Sequence, residues 1–154
     1  MLRTSSIAKL AAGWSLLYAA VAIFWALGGG GFPFGEGDAE GGDMGSLFVD
    51  MSAQVLAPTI AALSAAAAVV AVAMATPEGG RLPRRAVLAV GWGMSVILIF
   101  AVPDVRLLRD FAYLVTGGVG FVDKFDWPAT NQLICLGGGL LWAAATLEYQ
   151  RRTR

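Results

Sequence analysis

Long apolar stretches broken by segments of glycine, proline and charge organise this chain. Three of them, at 10–27, 55–75 and 86–102, carry no charge, and a fourth at 128–149 carries only Glu148 near its end. None alternates apolar and polar residues as a half-buried strand does. Val55 to Ala75 is uncharged over 21 residues, which at the helical rise covers a hydrocarbon core roughly 30 Å thick. The pattern predicts an all-α, four-helix transmembrane bundle forming a single domain over 1–154, with long loops at 28–50 and 103–127.

Val55 to Ala75 is mostly alanine, with Thr59 and Ser64 as its hydroxyls. Alanine gains little from lipid contact but lets backbones approach closely, so this helix belongs at the bundle's centre. Pro58 is placed to bend its start. The 28–50 loop opens on glycines and Pro33, and it holds Glu36, Asp38, Glu40, Asp43 and Asp50 with no base. Carboxylates among glycines suggest calcium, but their spacing does not match a twelve-residue calcium loop, so a solvated outer loop is the reading. In Asp104 to Trp127, Arg106, Arg109 and Asp110 lie among apolar residues before glycines end the pattern. That stretch fits an interfacial amphipathic helix better than a further span. Asp126 and Pro128 then suit a helix start.

Charge sorts the ends. Of the 11 bases, Arg3, Lys9, Arg81, Arg84, Arg85, Arg151, Arg152 and Arg154 lie in the leader, the middle turn and the tail, against Arg106, Arg109 and Lys124 in the long loops. The positive-inside rule then places both termini in the cytoplasm and both long loops outside. The basic start followed by an apolar run also resembles a signal peptide. The run is long and bulky, however, and lacks a small-x-small site before Gly28, so retention as the first span is expected. Arginine in excess of lysine, with abundant Ala and Gly, fits a GC-rich bacterial genome, and the expected location is the bacterial cytoplasmic membrane. The expected surroundings are the lipid bilayer and a membrane protein partner or second copy.

Composition narrows the chemistry. Net charge is zero, which disfavours nucleic acid. The single cysteine, Cys135, leaves no redox pair, and histidine is absent. There is no Gly-x-Ser-x-Gly elbow and no carboxylate deep in a span for proton coupling. The expectation is therefore a non-enzymatic protein with no cofactor, no metal and no catalytic residue. It would act as a partner subunit or accessory factor through an outer face formed by Asp104, Arg106, Arg109, Asp110 and Trp127. The alternative is a transporter or binder of a lipid-like molecule in an outward-opening cavity edged by Trp25, Asn131 and Gln132. Two helical faces bear on this choice: Trp14, Tyr18, Val21 and Trp25, and Asn131, Cys135, Gly138 and Trp142, each at i, i+4, i+7, i+11. Large residues of the first face are expected to pack on the Gly137 to Gly139 notch of the second.

Phe24-Trp25-Ala26-Leu27-Gly28-Gly29 resembles a Tyr/Phe-Trp-Ala-Leu-Gly-Gly signature in an uncharacterised family of small four-span membrane proteins frequent in actinobacteria. The region from Asp104 through Arg109-Asp110-Phe111 to Cys135 also looks like that family's last loop and span. The resemblance implies the four-span topology and carries no activity with it.

Overall fold

A computed structural model describes residues 5–34, 53–76, 82–102, 112, 115, 116 and 127–154, the last segment beginning with backbone alone at 127–129. The described chain is all-helical: α1 (Ser6–Ala26), α2 (Ala53–Ala75), α3 (Arg84–Val96), continued by a π-helical turn (Ile97–Ala101), and α4 (Trp127–Arg152). Three helical segments are long and apolar enough to cross a membrane: Ser6–Ala26, Ala53–Ala75 and Arg84–Ala101. The fourth, although longest at 26 residues, is not among them. Polar Thr130, Asn131 and Gln132 near its start and charged Glu148, Arg151 and Arg152 near its end dilute its apolar character.

Helix α1 begins at Ser6, four residues before the uncharged run, because Ser5 caps it. The Ser5 hydroxyl accepts from the Ala8 N–H at 3.1 Å, satisfying one of the amides the first turn leaves unpaired. Lys9 consequently lies inside the helix, where a long stem can carry its charge towards water. At the other end the Gly28 N–H bonds the Trp25 carbonyl at 3.0 Å and the Gly29 N–H bonds the Phe24 carbonyl at 2.9 Å. With Gly28 at φ +91°, this is a Schellman cap. A Cβ on Gly29 would overlap the edge of the Phe24 ring. Of the two glycines of the Phe-Trp-Ala-Leu-Gly-Gly motif, Gly28 is required by the backbone, and Gly29 leaves room for the Phe24 side chain.

Pro58 lies within α2, where it removes one helical N–H. The next residue, Thr59, donates its hydroxyl to the Val55 carbonyl one turn back, at 2.9 Å. The most extensive helix interface is α1 against α2, with Ala8, Ala11, Ala22, Ala57, Ala67 and Ala71 buried. These small side chains bring the two backbones close, as the alanine-rich sequence leads one to expect. Helix α3 meets α4 where Gly91 faces Thr146, and a Cβ at Gly91 would overlap that hydroxyl.

The basic segments gather at one pole of the bundle. The Ser5 N–H bonds the Ala75 carbonyl at 3.3 Å, and the Ser5 hydroxyl donates to Glu148 Oε2 at 2.7 Å. Arg152 Nη2 donates to the Met74 carbonyl at 2.7 Å, and Arg84 Nε donates to Thr153 Oγ1 at 2.9 Å. The start of α1, the end of α2, the start of α3 and the end of α4 are thus tied together. This is the grouping that the arginine distribution predicts for leader, middle turn and tail. The acidic loop at 36–50 lies outside the described residues, as does most of the proposed interfacial helix. Within the latter, the Thr116 N–H bonds the Ala112 carbonyl at 3.0 Å.

Candidate functional site

The opposite pole and the middle of the bundle hold an aromatic ladder. Trp14 and Tyr18 stack with centroids 5.1 Å apart and an 8° interplanar angle. Tyr18 meets Trp25 edge-on at 6.2 Å, and Trp25 meets Phe32 edge-on at 5.7 Å. The first three are the α1 face predicted from spacing. Phe32 joins them because the glycine cap turns the chain back over the end of α1, so the ladder continues to Phe34 at 5.6 Å.

Helix α4 presents its own predicted face to this ladder. Gly138 lies beneath Trp14, whose ring occupies the space a Cβ would need. Gly139 receives Leu98 and Ile99 of the π-helical turn, with Leu98 Cβ 3.0 Å from the Cβ position. Gly137 has nothing within 4 Å. Two glycines of the notch therefore accommodate neighbours, from two different helices, and the third faces open space.

A cleft of about 170 Å³ lies between α1 and α4, lined by Trp14, Leu17, Tyr18, Val21 and Trp25 of α1 and by Asn131 and Ile134 of α4. It runs along α1 from Trp14 to Trp25, about 16 Å at the helical rise. It opens on the flank of the bundle, where Leu17 is 71% exposed and Ile134 is 40% exposed. Of the residues expected to edge an outward-opening cavity, Trp25 and Asn131 line this cleft. Gln132 is buried but does not line it, because its position one residue on from Asn131 turns it about 100° around the helix.

A chain of buried hydrogen bonds closes the floor. The Cys135 thiol donates to the Tyr18 oxygen at 3.3 Å, and the Tyr18 hydroxyl donates to Asn131 Oδ1 at 2.9 Å. The Asn131 carbonyl is thereby used. Its amide nitrogen, Nδ2, is buried with no hydrogen-bond partner among the described residues, and Asn131 as a whole is 1% exposed. An amide nitrogen brings two donor hydrogens, and buried donors are rarely left unmade in folded proteins.

The other polar side chains of this interface are paired. Trp142 Nε1 donates to Ser15 Oγ at 3.2 Å, and Thr146 Oγ1 donates to the Trp142 carbonyl at 2.8 Å. Of the outer-face candidates, Asp104, Arg106, Arg109 and Asp110 lie outside the described residues. Trp127 heads α4. Spacing alone identified the two faces but assigned them to packing. The cleft itself, with Leu17 and Ile134 on its margin, depends on how far α1 and α4 diverge, which no local pattern reports.

No family model, curated protein or solved structure matches the chain.

Proposed function

We propose that this is an integral membrane protein of the bacterial cytoplasmic membrane that holds a lipid-like molecule in the cleft between α1 and α4. Both termini lie in the cytoplasm, and α4 serves as the fourth span. Three apolar helices of membrane-crossing length support the membrane setting. The shared pole of Lys9, Arg84, Arg85, Arg151 and Arg152 supports the orientation, since bases concentrate on the cytoplasmic side. Helix α4 has 26 residues, about 39 Å at the helical rise, ample for the same crossing. Within it, Asn131, Gln132 and Thr146 are buried in the bundle, where polar groups cost less than in lipid.

The observation that carries the binding reading is the apolar, aromatic-lined cleft itself, with Asn131 as the one amide side chain in its wall. Such pockets, with a few convergent polar groups, are what small-molecule sites look like. An accessory subunit acting through its outer face remains the competing reading, and one experiment separates the two. Native mass spectrometry of the detergent-purified protein should show a retained lipid-mass adduct. Val21→Trp, which fills the cleft, should lose it. An adduct of unchanged occupancy in Val21→Trp refutes the cleft as the site. A stoichiometric protein partner with no retained lipid would establish the subunit reading instead.

A further inference from the structure

The basic pole carries more charge than its own contacts consume. We infer that the foot of α3 and α4 binds an anionic phospholipid of the cytoplasmic leaflet, its phosphate among Arg84, Arg85, Arg151 and Arg154 and its chains along the exposed helix faces beneath. This rests on the membrane setting and orientation proposed above, and not on the cleft.

Charge sets the first constraint. The described residues at this pole include Lys9, Arg84, Arg85, Arg151, Arg152 and Arg154 against one carboxylate, Glu148. In sequence the leader adds Arg3, and the middle turn adds Glu78 and Arg81, which cancel. Glu148 is already committed: it accepts from the Ser5 hydroxyl and pairs with Arg152 at 3.7 Å. Arg152 is also engaged by the Met74 carbonyl. Arg85, Arg151 and Arg154 are exposed and have no hydrogen bond or ion pair among the described residues. These like charges repel one another at one end of the bundle, and an anion placed among them relieves that repulsion.

Geometry makes Arg84 more than a loose charge. Its Nε donates to Thr153 Oγ1 at 2.9 Å, and Thr153 Oγ1 donates onward to the Tyr149 carbonyl at 2.9 Å. The guanidinium is thus tied from α3 to the end of α4, at the residue next to Arg154 and two from Arg151. With Nε engaged, the two terminal amino groups remain, a planar pair of donors suited to a phosphate.

The surface beneath the arginines decides the class of anion. On α3, Arg85, Ala89, Trp92 and Val96 follow i, i+4, i+7, i+11, and all are exposed. On α4, Leu140, Ala144, Leu147 and Arg151 repeat that spacing and are exposed as well. Each stripe is apolar and ends in an arginine. Trp92 Nε1 donates to Gln150 Oε1 at 3.4 Å, which draws the indole across the seam towards the residue beside Arg151. An acidic peptide would use the arginines and leave both stripes idle, whereas a phospholipid uses them together. The cytoplasmic leaflet is where anionic lipids meet juxtamembrane bases.

The test compares two lipids of the same chains whose head groups differ in net charge. Purified full-length protein is titrated in detergent with dioleoyl phosphatidylglycerol and with dioleoyl phosphatidylcholine, and retention is read by native mass spectrometry. The expected result is retention of the anionic lipid about tenfold above the zwitterion, the lower end for one hydrogen bond to a charged group, falling to near parity in Arg84→Gln/Arg151→Gln. Two variants separate a built site from charge spread over the pole. Thr153→Val keeps every charge but releases Arg84, and should lower the preference about threefold. Lys9→Gln removes a charge from α1 and should leave the preference unchanged. The reverse pattern, a loss in Lys9→Gln and none in Thr153→Val, overturns the site in favour of diffuse attraction. If the double variant does not fold, Arg84→Lys, which keeps the charge but loses the planar fork, decides by the same drop. Equal retention of both lipids by the wild type overturns the proposal outright. Displacement of the lipid by an equal concentration of glycerol phosphate, which lacks the chains, overturns the lipid assignment in favour of a free phosphate ligand. Val21→Trp should leave the ratio untouched, so failure of the cleft and failure of this site are read separately. Retention in detergent does not depend on orientation, which side-specific cysteine labelling tests by itself.

Discussion

Adjacent glycines on α4 should respond in opposite directions to the same substitution. At Gly138 a Cβ would overlap the Trp14 indole, whereas at Gly137 nothing lies within 4 Å. Gly138→Ala therefore forces either the indole or the whole of α1 to move. The atoms in the way belong to a rigid bicycle that is itself stacked on Tyr18, so it has little freedom to give. Overpacking of this kind costs about 1–3 kcal/mol. Replacing a helical glycine by alanine returns up to about 1 kcal/mol. The net expectation is a loss of up to about 2 kcal/mol for Gly138→Ala and a gain of up to about 1 kcal/mol for Gly137→Ala.

Reversible unfolding of the detergent-solubilised protein by sodium dodecyl sulfate, followed by far-ultraviolet circular dichroism, measures both. Adding Trp14→Leu to Gly138→Ala removes the clash and should recover part of the loss, a non-additivity that marks contacting residues. Because Trp14 also lines the cleft, Gly138→Ala should lower lipid retention whereas Gly137→Ala leaves it unchanged. Equal stabilities for the two alanine variants would falsify the seating of Trp14 on Gly138, and with it the wall of the cleft.

Other consequences are simpler to state. Ser5→Ala removes both the cap on the Ala8 amide and the bond to Glu148. A loss of about 1 kcal/mol is expected, with faster hydrogen exchange confined to the first turn of α1; unchanged exchange there would contradict the cap. Gly28→Ala imposes φ +91° on a residue with a Cβ and should cost about 1 kcal/mol, since nothing crowds the site and only the backbone objects. Cys135, at 1% exposure, should resist a membrane-permeant maleimide until the protein is denatured. In a Cys135→Ala background, cysteines introduced at 38 and 153 should react from opposite sides of the membrane. Labelling of both from one side would break the proposed topology.

The framework of this fold is written in charge and in helix-breaking residues. The four spans read from sequence start within four residues of the observed helices and end within three, because arginines, prolines and glycines mark where apolar helix must stop. The displaced boundary is the first, at Leu10 against Ser6, where a capping serine outweighs the basic residue that suggested a leader. The π-helical turn at Ile97–Ala101 left no signal in a uniformly apolar run, for periodicity cannot register one inserted residue among like neighbours. The two facing stripes were legible from their i, i+4, i+7, i+11 spacing. Their meaning was not, because a stripe of aromatics reads the same whether it closes against a neighbour or stands slightly apart. Gln132 illustrates the same limit: sequence groups it with Asn131 as a polar patch, and only the helical phase of α4 against α1 separates a cleft residue from a buried one.

The contrast within the α1–α4 interface bears most directly on function. Towards the basic pole, polarity is matched. Trp142, fully buried, spends its N–H on Ser15, and Thr146 spends its hydroxyl on the carbonyl one turn back. These pairs let a helix too polar to rank with the other three as a spanning segment sit inside a bundle, since each polar group is met by protein. Towards the other pole one buried donor, Asn131 Nδ2, has no hydrogen-bond partner among the described residues, and Asn131 also lines the cleft between α1 and α4. A leucine there would remove the unpaired Nδ2 but would deprive the buried Tyr18 hydroxyl of the acceptor it has in Asn131 Oδ1. The Cys135–Tyr18–Asn131 chain therefore works in one direction: it fixes the carbonyl of the side chain on the protein and turns the nitrogen loose. That arrangement stabilises the bundle less than a fully paired amide would.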